Sequence, residues 1–165
     1  MELFKKDKIN LNLWESMPDN LKYFTEIILE DNNYIPDDCP TIGKIISVDI
    51  ETNINNFKLI ESKIAKSNEG KKVDKYKLIF NFYIDEKLKY ASNKQGESMH
   101  ILNLRSYEKT GYIVLPEKIN NKSIMELIRK KSFIVKTYNE DINCYAIHER
   151  LVYRTAIILV YLEFI

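Results

Sequence analysis

Alternation between apolar and polar positions is the dominant pattern in this chain. Residues 76–90, YKLIFNFYIDEKLKY, place an apolar or aromatic side chain at almost every second position, which is the period of a strand buried on one face. The residues on that face are Tyr76, Leu78, Phe80, Phe82, Ile84, Leu88 and Tyr90. We expect this face to be buried, together with Ile46, Val48 and Ile50 of the alternating segment 44–54.

Further strands are predicted on both sides of this segment. They cover residues 24–30, 57–65, 98–104, 111–116, 132–138, 142–153 and 155–164, with polar turns at 66–72 and 92–97. The region around 24–30 also fits a helix, but its β-rich composition and the turn-like DNNYIP that follows favour a strand.

One helix is predicted at 121–131, NKSIMELIRKK. Ser123 is placed to act as its N-cap and Glu126 follows three residues later, while Ile124, Leu127 and Ile128 share the buried side. The whole pattern predicts a mainly β fold, an antiparallel β-sandwich or flattened barrel with one or two short helices.

Length and composition favour one globular domain. The chain has 165 residues, of which 45% are hydrophobic and 30% charged, as in ordinary soluble domains. We assign residues 21–165 to a single β domain and residues 1–20 to an N-terminal arm containing Leu11, Leu13, Trp14 and Met17. This arm either folds back on its own sheet or is flexible and exchanged between subunits. The net charge of +1 argues against nucleic acid as a partner.

The two cysteines and the apolar runs bear on the compartment. Cys39 and Cys144 match no metal-ligand or redox spacing, so we interpret both as reduced thiols in an intracellular setting. The N-terminal residues contain no apolar stretch of signal-peptide length. The longest apolar run, at 155–162, has eight residues, whereas a bilayer-spanning helix needs roughly 20. We therefore expect no membrane span.

The two histidines are predicted to be structural. His100 alternates with Leu102 and Leu104, so we expect it to be buried on the inner face of a strand with a hydrogen-bond partner. His148 lies four residues after Cys144. On a strand this spacing separates the side chains by roughly 13 Å, too far to bind one metal ion.

Other charged groups also have ordinary explanations. The adjacent carboxylates at 37–38 and 140–141 are predicted to be solvated turn residues, and the basic run at 129–131 suits the C-terminal end of the helix. The sequence shows no phosphate-binding loop, dinucleotide fingerprint or nucleophile elbow. We therefore predict no catalytic, metal-binding or cofactor-binding residue and a protein that is not an enzyme.

The order of several segments resembles the SPOCS domain, which occurs in spore coat and morphogenetic proteins of endospore-forming bacteria. The similarity runs over roughly residues 24–162, through FTEIILEDNNYIPDDCPTIGKIISVDIE, EGKKVDKYKLIFNFYIDEKLKYAS, QGESMHILN, YIVLP and YNEDINCYAIHERLVYRTAIILVYL. The chain departs from the family at CPTIG, where members usually continue Lys-Pro-Asp-Ile-Glu, and it has no LysM module. Cell-wall binding is therefore not carried over.

The resemblance implies a non-catalytic structural protein of the spore coat or spore surface. Such a protein would be made in the mother-cell compartment, be deposited on the spore, and act by self-association or by docking on a morphogenetic partner. Two other hypotheses remain open. One is a small-ligand or glycan-binding β-sandwich with Trp14 and the tyrosines as stacking platforms, and the other is an enzyme using His100 with a carboxylate or Cys144.

Overall fold

The computed structural model describes residues 18–62, 76–94 and 99–165. Within them the chain forms strands and one helix, in the order β1 (Phe24–Tyr34), β2 (Ile42–Glu61), β3 (Tyr76–Ser92), β4 (Met99–Arg105), β5 (Lys109–Leu115), β6 (Lys118–Ile119), β7 (Lys122–Ser123), α1 (Ile124–Arg129), β8 (Phe133–His148) and β9 (Leu151–Phe164). The predicted turn at 66–72 and most of the predicted N-terminal arm lie outside the described residues.

The strands form two main antiparallel sheets. The three-stranded sheet has the order β1-β9-β8, so the C-terminal strand is central. In the four-stranded sheet β3 is central, with β2 along one side and β4 and β5 following one another along the other side. The predicted mainly β fold is confirmed, with a sandwich-like arrangement in which the sheets do not close into a barrel.

The inner faces of the two sheets form the hydrophobic core. All seven residues predicted to be buried on β3 are buried, and each is at most 8% exposed. Val48 of β2 lies opposite Leu88 of β3, and both are buried. From the three-stranded sheet the core receives Ile27 and Leu29 of β1 and Val152, Ala156, Ile158 and Val160 of β9. Burial of these alternating apolar positions is the main term that stabilises the fold.

The prediction that Ile46 is buried is wrong. Its side chain is 41% exposed, because the register of β2 against β3 shifts between Ile45 and Ser47. Such a bulge places two residues opposite one and reverses the alternation. Ile45 therefore packs against the core in its place, and Ile50 is half-buried against the same core.

Several predicted boundaries are also wrong. Residues 31–34, predicted as part of a turn, continue β1. The predicted strand at 44–54 and the described part of the predicted strand at 57–65 join in one long β2, whose register shifts between Asn55 and Lys58. Glu140 and Asp141, predicted in a turn, lie inside β8 beside a register shift. The chain instead turns at 149–150, between β8 and β9. Asp37 and Asp38 are exposed in a turn as predicted.

The predicted helix is confirmed as α1. Ile124 and Leu127 are buried and Ser123 occupies the N-cap position, although the structure shows no capping hydrogen bond from its side chain. The Lys130 ammonium lies 2.5 Å from the Glu126 carboxylate one turn earlier. The basic run thus lies at the C-terminal end of the helix, where cations interact favourably with the helix dipole.

Candidate interaction surfaces and a buried ion cluster

His100 lies on β4 in the predicted alternation. It shares a half-buried face with Leu102 and Leu104, and the centre of its ring is 5.7 Å from that of Tyr90. The expected hydrogen bond is not found at Nε2, which is buried and has no partner among the described residues. The His100 ring therefore packs beside the Tyr90 ring in a tilted arrangement, with an angle of 38° between the ring planes.

The structure does not bring His148 and Cys144 into one environment. His148 is exposed at the end of β8, and its Nδ1 accepts a hydrogen bond of 3.2 Å from the Arg150 backbone N–H. Cys144 is buried, and burial, reinforced by the nearby Glu86 carboxylate, raises the pKa of its thiol to about 12. A thiol with this pKa is protonated and a poor nucleophile near neutral pH. Cys39 and Cys144 are both free thiols.

A cluster of ionic side chains is buried between the two sheets. Arg154 on β9 and Glu86 on β3 are 2% and 3% exposed, and Arg154 Nη1 lies 2.9 Å from Glu86 Oε2. The other terminal nitrogen of Arg154, Nη2, donates a hydrogen bond to Asp31 Oδ2 on β1. Lys109 of β5 approaches the second oxygen of Asp31 at 3.4 Å. These four residues, which we call the ion cluster, link both sheets through alternating charges.

The central pair of the ion cluster is incompletely hydrogen-bonded. Although the Arg154 and Glu86 atoms are close, their alignment is not that of a hydrogen bond, and both Glu86 oxygens lack a hydrogen-bond partner among the described residues. Burial raises the pKa of Glu86, and the positive charge of Arg154 opposes this increase. Buried charges with unfilled hydrogen-bonding positions carry a desolvation cost.

Our sequence interpretation overlooked this cluster, although the pattern contained a signal. Glu86 lies between Ile84 and Leu88 on the apolar face of β3, and Arg154 lies between Val152 and Ala156 on the apolar face of β9. A charge at an inward position of an alternating strand indicates a buried partner of opposite sign.

The outer face of the three-stranded sheet is acidic and rich in tyrosine. We call this surface the acidic face; its charged residues are Glu26, Glu30, Glu140, Asp141, Lys136 and Glu163. Tyr145 and Tyr153 lie side by side on it with ring centres 5.0 Å apart. The Tyr153 hydroxyl donates a hydrogen bond of 2.7 Å to Glu30, which raises the pKa of that tyrosine.

The outer face of the four-stranded sheet is predominantly basic. We call this surface the basic face; its charged residues are Lys44, Asp49, Glu51, Lys58, Lys77, Asp85, Lys87, Lys89 and Arg105. Arg105 pairs with Asp85 at 2.7 Å and lies over the ring of Tyr83, 4.7 Å from its centre. Lys77 lies 4.7 Å from the ring centre of Tyr112 on β5. The cations of this face are thus placed among aromatic side chains.

A groove of about 560 Å³ opens between β2, β8 and the end of α1. Its lining is mostly apolar, with Ile54, Phe57, Ile128, Phe133, Val135, Thr52, Thr137 and Lys131. The Phe57 and Phe133 rings meet edge to face with centres 5.5 Å apart. Further along the same two strands the Asn139 side chain donates a hydrogen bond of 3.1 Å to the Ile50 carbonyl. The groove therefore lies where neighbouring sheet edges separate.

No protein-family model, curated protein or solved structure matches this chain. In the part of the chain that the structure describes, no three His, Cys, Asp or Glu side chains are grouped so that they could hold a metal ion. No helix among the described residues is long and apolar enough to cross a membrane. The function of this chain therefore has to be inferred from its own surfaces, its groove and its ion cluster.

Proposed function

We propose that this protein is a non-catalytic assembly protein that acts by protein–protein association, with itself or with a larger partner. The resemblance to the SPOCS domain supports the spore coat or spore surface as its place of action and a spore-coat morphogenetic protein as such a partner. On this proposal the chain is made in the mother cell and deposited on the spore.

The observation that carries the proposal is the exposure of apolar side chains on both outer faces. Ile28 is 75% exposed and Tyr34 55% exposed on the acidic face, while Ile101 is 60% and Met99 56% exposed on the basic face. Exposed large apolar side chains among charged residues are typical of protein–protein contact sites. Burying them in a contact would release their hydration water and favour association.

Sedimentation velocity over a range of protein concentrations tests this proposal. We expect the wild-type chain to form oligomers or polymers, and Ile28→Lys and Ile101→Glu to weaken association at least about tenfold, because each places a charge at an apolar contact position. Ile165→Lys is the matched control, since Ile165 is also 75% exposed but lies at the C-terminal end of the described chain. A wild-type protein that stays monomeric at high concentration would exclude self-association and leave docking on a partner as the form of assembly.

Residues 1–17 lie outside the described residues, and their role in assembly remains a prediction. If the arm containing Trp14 is exchanged between subunits, a chain lacking residues 1–17 should lose its oligomers and keep its β-type circular dichroism spectrum. A truncated chain that assembles like the full-length protein would exclude the arm from the contact.

A second candidate function is the binding of a small apolar ligand in the groove between β2 and β8. The volume of the groove is within the range of small-molecule sites, and the exposed Lys131 at its rim suits an anionic head group. Titration calorimetry with dodecanoate tests this idea. We expect measurable binding by wild type and its loss in Val135→Trp, which fills the groove; absence of binding by wild type would exclude this ligand class.

A further inference from the structure

We propose that copies of this chain stack head to tail, with the acidic face of one copy against the basic face of the next. This inference rests on the proposed function, because it specifies how self-association takes place. The partner is a second copy of the same chain, and the feature that selects it is the opposite charge of the two outer faces.

The acidic face carries an excess of negative charge. Among the described residues it presents five carboxylates and one lysine, and Lys136 is paired with Glu163 at 2.7 Å. Glu26 and Glu30 are exposed on β1, one of the two edge strands of this sheet. The pKa of Glu140 is raised, chiefly by burial of its carboxyl group and to a smaller extent by the negative charge of Glu26.

The basic face carries an excess of positive charge. Among the described residues it presents six cations and three carboxylates, of which Asp85 is paired with Arg105 and Asp49 lies opposite Lys87 in the strand register. Lys44 and Lys89 lie opposite Ala91 and Ser47, respectively. Lys89 also lies opposite the exposed Ile101 of β4. A positive surface with apolar side chains at one end therefore remains available for an acidic contact.

The charge distribution selects one mode of association. The chain has a net charge of only +1, so two copies do not repel each other strongly at long range. A two-fold contact between equal faces would bring like charges together, whereas a contact between unequal faces joins opposite charges. Contacts between unequal surfaces lead to rings or to open filaments. Layered, extended assemblies are the expected products.

Charge reversal on each face provides the test. The first variant carries Glu26→Lys with Glu30→Lys on the acidic face, and the second carries Lys44→Glu with Lys89→Glu on the basic face. We expect each variant alone to be monomeric by sedimentation velocity. In the first variant the acidic face then carries three carboxylates and three lysines and has no net charge to attract the basic face. In the second variant the basic face carries five carboxylates and four cations, so both outer faces are negative. Mixed in equal amounts the two variants should form dimers, since the unaltered basic face of the first variant fits the unaltered acidic face of the second.

Three controls make the result specific. Lys118→Glu with Lys122→Glu reverses the same number of charges on the β6–β7 hairpin, away from both faces, and should assemble like wild type. Circular dichroism checks that each variant is folded, and Glu26→Gln with Glu30→Gln tests the acidic face without adding positive charge. We expect this neutral variant to associate at least about tenfold more weakly than wild type, and wild-type assembly to weaken as salt screens the contact.

The possible results are distinguishable. If wild type assembles and the two reversed variants also assemble alone, or if the mixture stays monomeric, the head-to-tail contact is wrong while self-association stands. If wild type itself is monomeric at all concentrations and salt levels, both the inference and self-association as the basis of the proposed function are overturned.

Discussion

Removing the central cation of the ion cluster should destabilise the fold far more than removing a surface arginine. In Arg154→Met the buried carboxylate of Glu86 loses the cation that lies 2.9 Å away, and Asp31 loses its buried hydrogen-bond donor. Lys109 is near Asp31 at 3.4 Å and is the remaining cation of the cluster. Breaking a buried pair in this way typically costs about 3–5 kcal/mol, because the partner is left buried and uncompensated.

Urea denaturation followed by circular dichroism measures the effect. The matched control is Arg105→Met, which removes an arginine whose side chain is 65% exposed and whose partner is Asp85; this variant should unfold at nearly the wild-type urea concentration. In a Glu86→Gln background, Arg154→Met should lower the free energy of unfolding less than it does in wild type. The expected coupling energy between the two residues is about 1–3 kcal/mol. If Arg154→Met and Arg105→Met have the same small effect, the account of a buried, charge-compensated cluster is refuted.

The same cluster gives the stability of the protein a defined pH dependence. Burial raises the pKa of Glu86 above its usual value of 4.5. At pH values between 4.5 and the raised pKa, the folded state therefore binds more protons than the unfolded state. The contribution of Glu86 to stability is therefore fully present below about pH 4.5 and is lost as the pH rises through the raised pKa. Glu86→Gln lacks this titration. The free energy of unfolding of the variant minus that of wild type should increase with pH above 4.5, and a constant difference would contradict the assignment.

Other predictions follow from single residues. At pH 8 iodoacetamide should alkylate the half-exposed Cys39 in the native protein, whereas Cys144, whose pKa is raised to about 12, should react only in denaturant; mass spectrometry that finds native Cys144 labelled would contradict its burial. Gly111→Ala should cost about 1–3 kcal/mol in urea denaturation, because the new Cβ would lie 2.7 Å from the buried Phe80 ring. Phe82→Ala should cost about 3–5 kcal/mol, since Phe82 is 2% exposed in the core; loss of less than about 1 kcal/mol would show that the site is loosely packed.

The sequence was most informative where a strand runs without interruption. β3 keeps its alternation over its whole length, so the side chains predicted to point inward do so. The prediction failed at Ile46 because a bulge reverses the alternation there, and no glycine or proline stands at that position to indicate it. The turn at 149–150 is formed by Glu and Arg, which are not residues that normally indicate a hairpin turn.

The candidate surfaces were less accessible from sequence than the fold. The two-residue alternation predicts which side chains share a face of one strand. The excess charge of a face of the sheet also depends on which strands are neighbours. The alternation places Glu86 and Arg154 inward, yet their contact joins strands of different sheets. Such a contact is fixed by tertiary packing, which a single sequence does not specify.

The ion cluster also bears on the charge of the outer faces. A strand that slips by one residue exchanges all of its inward and outward side chains. If β3 slipped in this way, Lys87 or Asp85 would replace Glu86 beside Arg154. Lys87 in that position would bury two like charges. Asp85 in that position has a shorter side chain than glutamate and would lose its surface pair with Arg105. We infer that the cluster, despite its desolvation cost, penalises the wrong register of β3. The same register keeps Lys87 and Lys89 on the outer surface, so the buried pair and the basic face depend on one alignment of a single strand.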